Sequence, residues 1–363
     1  MLRTRSIALL ALLLPLVPAG ALARAQSGTA HAELAKPSSA TEPRCAHEVP
    51  PKELFEIDRV VDGDTIWVKR KGELEKLRLL SVDTEERLGK GHAASATKPQ
   101  TVFGEETALW AQELFSKLAK EGEKPRVGLV FPGGHEQRDV YGRLLCHVLL
   151  PDGTDYNLLL VKQGKSPYFD KYGRDELDHA AFARAEDAAR KAQLGVWNPK
   201  TNVASTAGEP SARRPYEQLL PWWRARAEAV ENFRKRKAEA PDACMHAEDK
   251  DGLKRAATAA TEVEVFGEVG RTYDEKNGDL TVLLRGADQD HDVRVRIAAA
   301  ARPAHASLKF DELGAEFHQN YVWVRGKLAA DGRGFQMTTE SAERWKVAGP
   351  EPRVEKPSAA GSK

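Results

Sequence analysis

The chain has 363 residues, 41% hydrophobic and 30% charged, with a formal net charge of +1. That is enough apolar material for two or three packed domains under a very polar surface. The near-neutral balance excludes inferring a nucleic-acid partner from whole-chain charge, so such an inference must rest on local clusters.

At the N-terminus, Arg3 and Arg5 precede an apolar run at 7–17, and two A-x-A patterns end at Ala23 and Ala25. This is the pattern of a secretory signal peptide over 1–25, and the run is too short to span a bilayer comfortably. The expectation is a secreted or periplasmic protein with no stable membrane span after signal removal. No obligate protein partner is inferred. Residues 26–50, rich in Ala, Ser, Pro and Glu, read as a disordered lead-in.

A first domain is expected over 51–199. Strands are predicted at 55–61, 65–69 and 74–82, then a polar loop at 87–100 and a helix at 104–120. Strands at 126–131 and 144–150 follow, then a helix capped by Asp155 and stopped by Gly164, and a longer helix at 175–194 stopped by Gly195. Five strands with interleaved helices suggest an α+β fold built on an OB-type Greek-key barrel. Residues 200–214 read as a linker and 215–240 as a charged helix. A second OB-like barrel is expected over 258–347, with strands at 262–269, 279–284, 292–297, 321–326 and 335–340, and a disordered tail over 348–363.

Hydrolysis of a phosphodiester needs a hard cation, a carboxylate base for the attacking water, and cationic donors for the charge that develops. Three clusters offer these parts. Asp62-Gly63-Asp64-Thr65 sets two carboxylates between two strands. Arg78 lies inside an apolar strand that ends in Asp83-Thr84-Glu85-Glu86, and a charge so placed needs a partner or a ligand. Arg138-Asp139-Val140-Tyr141-Gly142-Arg143 forms a turn leading into another strand. Each cluster alone reads equally as a solvated turn or a salt-bridged loop. Their order and spacing together are far more specific.

The series D-G-D-T, R-L-L-x-V-D-T-x-E and D-x-Y-G-R resembles the thermonuclease, or staphylococcal nuclease-like, family over residues 55–197. The resemblance implies a Ca²⁺-dependent nuclease acting on DNA or RNA. It implies Asp64, Asp83 and the Thr84 carbonyl as metal ligands, with Asp62 acting behind them through water. Glu86 would deprotonate or orient water, and Arg78 and Arg143 would clamp the phosphate. Tyr141 would lie beside substrate, with Tyr168 and Tyr172 as looser matches to substrate-stacking tyrosines. Glu85 stands where the family usually has Pro, which suggests an extra negative charge near the metal, and Val140 stands where a lysine is common. The rival reading is a nuclease-like fold that captures nucleic acid without cleaving it. Such degenerate domains usually lack the glutamate or an arginine, and all of these residues are present here.

In the second barrel, Tyr321, Trp323 and Arg325 share a predicted strand face, with Arg294 and Arg296 on another strand. This pattern suits single-stranded nucleic acid. Cys146 reads as a buried free thiol. Cys45 and Cys244 each begin a C-x-H triplet, and the preferred expectation is a Cys45–Cys244 disulfide, with Zn²⁺ held by the two triplets as the alternative.

Overall fold

The computed structural model describes residues 45–89, 94–203, 212–288, 290–332 and 334–352. The expected signal peptide, positions 26–44 of the expected lead-in, the middle of the 200–214 segment and most of the tail lie outside the described residues; residues 45–50 are ordered rather than disordered, with Cys45 and Glu48 buried. Among the described residues no helix is long and apolar enough to cross a membrane.

The first barrel is built from β1 (Phe55–Val60), β2 (Thr65–Arg70), β3 (Glu73–Leu79), β4 (Arg126–Val130) and β6 (Leu144–Leu149), with a two-residue strand β5 (Gln137–Arg138) on its rim. Antiparallel pairs run β3–β2–β1–β4–β6, and a parallel β3–β6 pairing closes the ring, with Leu77 opposite Leu144. Alternation along these strands sends Ile57, Ile66, Val68, Leu77, Leu79, Val127, Leu144 and Val148 inward. Burying each such side chain contributes roughly 1.5–3 kcal/mol. Helices α1 (Val102–Ser116) and α2 (Tyr156–Lys162) add Phe115, Tyr156 and Leu158 to this core.

The helix starts follow their caps. Thr101 caps α1 through Gly104 N–H, two residues ahead of the expected start. Asp155 caps α2 as expected. Helix α3 (His179–Lys191) starts at Asp178, later than the pattern suggested, because Asp175 closes a turn by accepting from the Leu177 and Asp178 amides.

After β6 and its helices comes α4 (Tyr216–Glu239), then β7 (Cys244–His246) and α5 (Lys250–Ala259). The second barrel follows: β8 (Glu262–Asp274), β9 (Leu280–Leu284), β10 (Val293–Ile297), β11 (Tyr321–Lys327) and β13 (Gly334–Thr338), with short strands β12 (Ala329–Asp331) and β14 (Trp345–Val347). The short helices α6 (Arg302–His305) and α7 (Phe310–Leu313) lie between β10 and β11. The connection repeats that of the first barrel. The first strand pairs with the second and fourth, and the third pairs in parallel with the fifth, Val293 opposite Phe335.

Helix α4 packs against both barrels. Trp223 meets Phe169 edge-on at 4.7 Å on the first, while Ala229 and Val230 cover Phe266, Tyr321 and Trp323 on the second. The expected nucleic-acid face of the second barrel is therefore not free. Tyr321 and Trp323 are buried, and the fully buried Arg226 of α4 stacks 4.2 Å over the Tyr321 ring and pairs with Glu268. Arg325, Arg294 and Arg296 pair with Glu262, Asp331 and Asp279. Aromatic rings spaced for stacking on bases serve here to seat a helix.

All three cysteines are free and buried. The expected Cys45–Cys244 disulfide is not formed, because Cys45 belongs to the first barrel's core and Cys244 packs under α4 with Phe266 and Trp323. The same separation excludes one Zn²⁺ shared by the two C-x-H triplets. Burial pushes the Cys45 thiol up to about 12 and the Cys244 thiol up to about 11, so both act as small neutral fillers.

Candidate active site

The site lies where the β1–β2 turn meets the end of β3. Gly63 is required there by close approach: a Cβ would fall 2.6 Å from Thr84 Cγ2 and 2.8 Å from Thr107 Cγ2. The tight turn lets the Asp64 N–H donate to Asp62 Oδ1 at 3.1 Å. Asp64 Oδ2 accepts from the Thr84 amide at 2.8 Å, which joins the first cluster to the second. Across the β2–β3 ladder Thr65 stands opposite Arg78. Arg78 then reaches Asp64 Oδ1 at 2.5 Å and Asp83 Oδ1 at 2.8 Å. Ser166 Oγ accepts from the Asp83 amide at 2.8 Å and fixes the strand end. The Thr101 amide donates to the Glu86 carbonyl at 3.0 Å, tying Glu86 to the start of α1.

Asp62, Asp64, Asp83 and Thr84 are buried, and Glu86 and Arg78 are largely so. Burial opposes ionisation of Asp64, but Arg78 and Lys98 outweigh it and hold the carboxyl below its ordinary value. Against the same burial, Arg214, Lys98 and Arg78 hold Asp83 well below the carboxylate range. Asp62 feels Lys98 too, but not strongly enough to offset the opposing causes. Burial first, then the charge of Asp64, pushes it up to about 7.

This has a measurable consequence. The folded Asp62 binds its proton more tightly than the unfolded chain does, so its contribution turns destabilising as pH rises from about 4 to about 7. With divalent ions chelated, Asp62→Asn is expected to raise the unfolding free energy at pH 8 by a few kcal/mol at most, seen as a higher urea midpoint, and to change it little at pH 4. An equal gain at both pH values would exclude this origin.

Three features of the site escaped the sequence. Lys98, inside the stretch read only as a polar loop, places Nζ 2.9 Å from both Asp83 Oδ1 and Glu86 Oε1. Arg214, at the end of the stretch read as a linker, is buried and pairs with Asp83 Oδ2, while donating to the Asp83 and Thr97 carbonyls at 3.0 and 2.9 Å. Phe169 lies 5.9 Å below the Arg78 guanidinium. The only advance signal was Arg78 itself, a buried charge that required partners.

Other expectations need correction. Glu85 is not a loose charge beside the expected metal ligands. It is buried and accepts from Thr101 Oγ1 and Asn202 Nδ2 at 2.6 Å and from the Tyr216 hydroxyl at 3.0 Å. Tyr168 is not presented to substrate. It bridges Val82, faces inward, and its hydroxyl accepts from the Asp175 amide at 2.7 Å. Alternation turns the next residue, Phe169, toward Arg78 instead. Tyr172 is 62% exposed and meets Phe169 at 5.7 Å, and Tyr141 is 81% exposed with Arg143 5.4 Å over its ring. Gly142 has the positive φ of 76° that the Tyr141-Gly142-Arg143 turn needs. Arg143 pairs with Asp139 at 2.6 Å, and because Leu145 stands opposite Arg78, alternation puts Arg143 on the same barrel face as Arg78.

Residues 76–199 match the staphylococcal nuclease homologue family. The chain is 32% identical over 150 residues to the thermonuclease of Staphylococcus intermedius, a span covering 40% of this chain and 76% of that protein. The chain belongs to the staphylococcal nuclease family. It is also 37% identical over 161 residues to endonuclease YhcR of Bacillus subtilis, covering 43% of this chain but only 12% of that protein. With the prophage-derived endonuclease YokF of Bacillus subtilis it shares 31% identity over 149 residues, 40% of this chain and 45% of that protein. The family model thus runs from the middle of β3 through α3.

The donors present fit a hard cation. Asp64, Asp83 and the Thr84 carbonyl, with Asp62 behind them, offer only oxygen.

Proposed function

We propose that this chain is a secreted or periplasmic Ca²⁺-dependent nuclease that hydrolyses phosphodiester bonds in DNA or RNA. The observation that carries this reading is the convergence of Asp64, Asp83 and Glu86 on one buried cluster with Arg78, in a chain of the nuclease family. Asp64, Asp83 and Thr84 would hold Ca²⁺, which when bound supplies charge neutralisation and polarises a phosphate oxygen and a water. Glu86 takes the proton from the attacking water. Arg78 and Arg143 present planar forks to the phosphate, a geometry that lysine does not provide. The exposed rings of Tyr141 and Tyr172 offer contacts to the rest of the substrate. The signal-like residues 1–25 support the assignment to the secretory route.

The test is incubation of the full chain, without residues 1–25, with plasmid DNA and with RNA, in Ca²⁺ or in chelator. Cleavage in Ca²⁺ alone is the expected result. Binding without cleavage in either condition would favour the rival reading of a capture protein and sink this one.

A further inference from the structure

Away from the acidic cluster, a second group of ligating side chains is buried beneath the segment that precedes β1. His47 comes from that segment, His147 from β6 and Asp155 from the cap of α2. His47 Nε2 and His147 Nδ1 both face Asp155 Oδ2, at 2.8 and 2.9 Å, and the three donor atoms lie within 4.8 Å of one another. From the geometry we infer that His47, His147 and Asp155 form a second metal site, suited to Zn²⁺ and separate from the proposed Ca²⁺ site.

Three observations carry the inference. The donor chemistry comes first: two imidazole nitrogens and one carboxylate oxygen are the three-ligand set that Zn²⁺ takes, with water completing the tetrahedron. Bonds of about 2.0–2.2 Å place tetrahedral donors roughly 3.3 Å apart, so two edges of the triangle need only a few tenths of an ångström of expansion.

The second observation is the surrounding shell. Asp155 Oδ1 is occupied with the Asn157 and Leu158 amides at 2.8 and 3.2 Å, which leaves Oδ2 turned to the imidazoles. Behind the fully buried His147, Nε2 lies 3.0 Å from Asp175 Oδ2, near enough for charge attraction but without hydrogen-bond alignment. A carboxylate behind a ligating imidazole is the arrangement that orients metal-bound histidines. Asp175 is fixed in turn by Ser81 Oγ at 2.5 Å and by two amides.

The third is charge. Asp155, Asp175 and Glu48 are all buried here, and Glu48 accepts from the Asp155 and Cys45 amides. Even with both imidazoles protonated, three carboxylates leave the pocket negative. One dication on neutral imidazoles supplies the same two positive charges as two bound protons, so metal and protons compete for this acidic pocket. A metal here would pin residues 45–49 to β6 and α2.

The experiment titrates ZnCl₂ into the chelator-treated full chain by calorimetry, with CaCl₂ saturating so that the acidic cluster is not the receiver. Thermal melting is followed in parallel, together with the visible spectrum after adding Co²⁺. One Zn²⁺ per chain, a melting temperature several degrees higher, and a tetrahedral Co²⁺ spectrum are expected. All three should be lost in His47→Ala, which removes the least buried ligand and spares the fold, and kept in His246→Ala. Absence of stoichiometric binding, or binding undiminished in His47→Ala, would overturn the site. None of the three readouts depends on cleavage, so failure of the nuclease reading is seen separately.

Discussion

Glu86→Gln is expected to lower Ca²⁺-dependent cleavage by about 10²–10⁴-fold, the range for loss of a general base, with the melting temperature almost unchanged. The amide keeps the shape of the side chain and its reach toward Lys98, and Glu86 is tied to α1 through its backbone rather than its carboxylate. Activity and stability should therefore separate. Arg78 is expected to behave differently. Arg78→Ala removes a proposed phosphate clamp, with an expected loss of roughly 10²–10³-fold in rate, but it also strands Asp64 without its strongest partner. Stranding a buried charge is destabilising by about 3–5 kcal/mol, so the urea midpoint should fall along with the rate. Arg143→Ala should resemble Glu86→Gln, because its partly exposed pair with Asp139 is worth about 0–1 kcal/mol. Rates, metal dependence and urea midpoints of the three variants check this ordering. Full activity in Glu86→Gln would remove the proposed base.

What the sequence revealed follows the range of each interaction. Asp62-Gly63-Asp64, the strand carrying Arg78 and the turn before Arg143 were legible because each is a contiguous pattern whose geometry is set by alternation or a tight turn. The five main strands of each sheet were legible for the same reason, while the short strands β5, β7, β12 and β14 were not. The partners of Asp83 were not. Lys98 lies 15 residues away within a loop of no periodicity, and Arg214 lies 131 residues away beyond a low-complexity segment. The Tyr168 error has a one-residue cause. Periodicity gives the alternation but not its phase, and the bridge to Val82 turned Tyr168 inward and Phe169 outward. Tyr321 and Trp323 misled similarly, because a strand pattern says which side chains share a face and not what covers that face.

The two unforeseen cations should act in opposite directions. Lys98 Nζ contacts Asp83 and Glu86 together, through a side chain that is 25% exposed, so it can leave for solvent. A metal drawn to Asp83 must compete with it. Lys98→Met, which keeps the apolar stem, is therefore expected to lower the Ca²⁺ concentration for half-maximal cleavage, on the order of tenfold, since 1.4 kcal/mol corresponds to that factor. Arg214 is a buried brace rather than a competitor. Its side chain is 4% exposed, and its Nε and Nη1 are fixed by the carbonyls of Thr97 and Asp83. Arg214→Ala leaves those carbonyls and Asp83 Oδ2 without their donor while Arg78 and Lys98 still hold Asp83 Oδ1, so the fold should weaken by about 1–3 kcal/mol and the Ca²⁺ requirement should not improve. Metal dependence of cleavage together with urea midpoints separates the two residues. If Lys98→Met raised the Ca²⁺ requirement, Lys98 would be supporting the site rather than competing for it. The charge balance of three acids, Asp64, Asp83 and Glu86, against Arg78, Lys98 and Arg214 would then describe the working state.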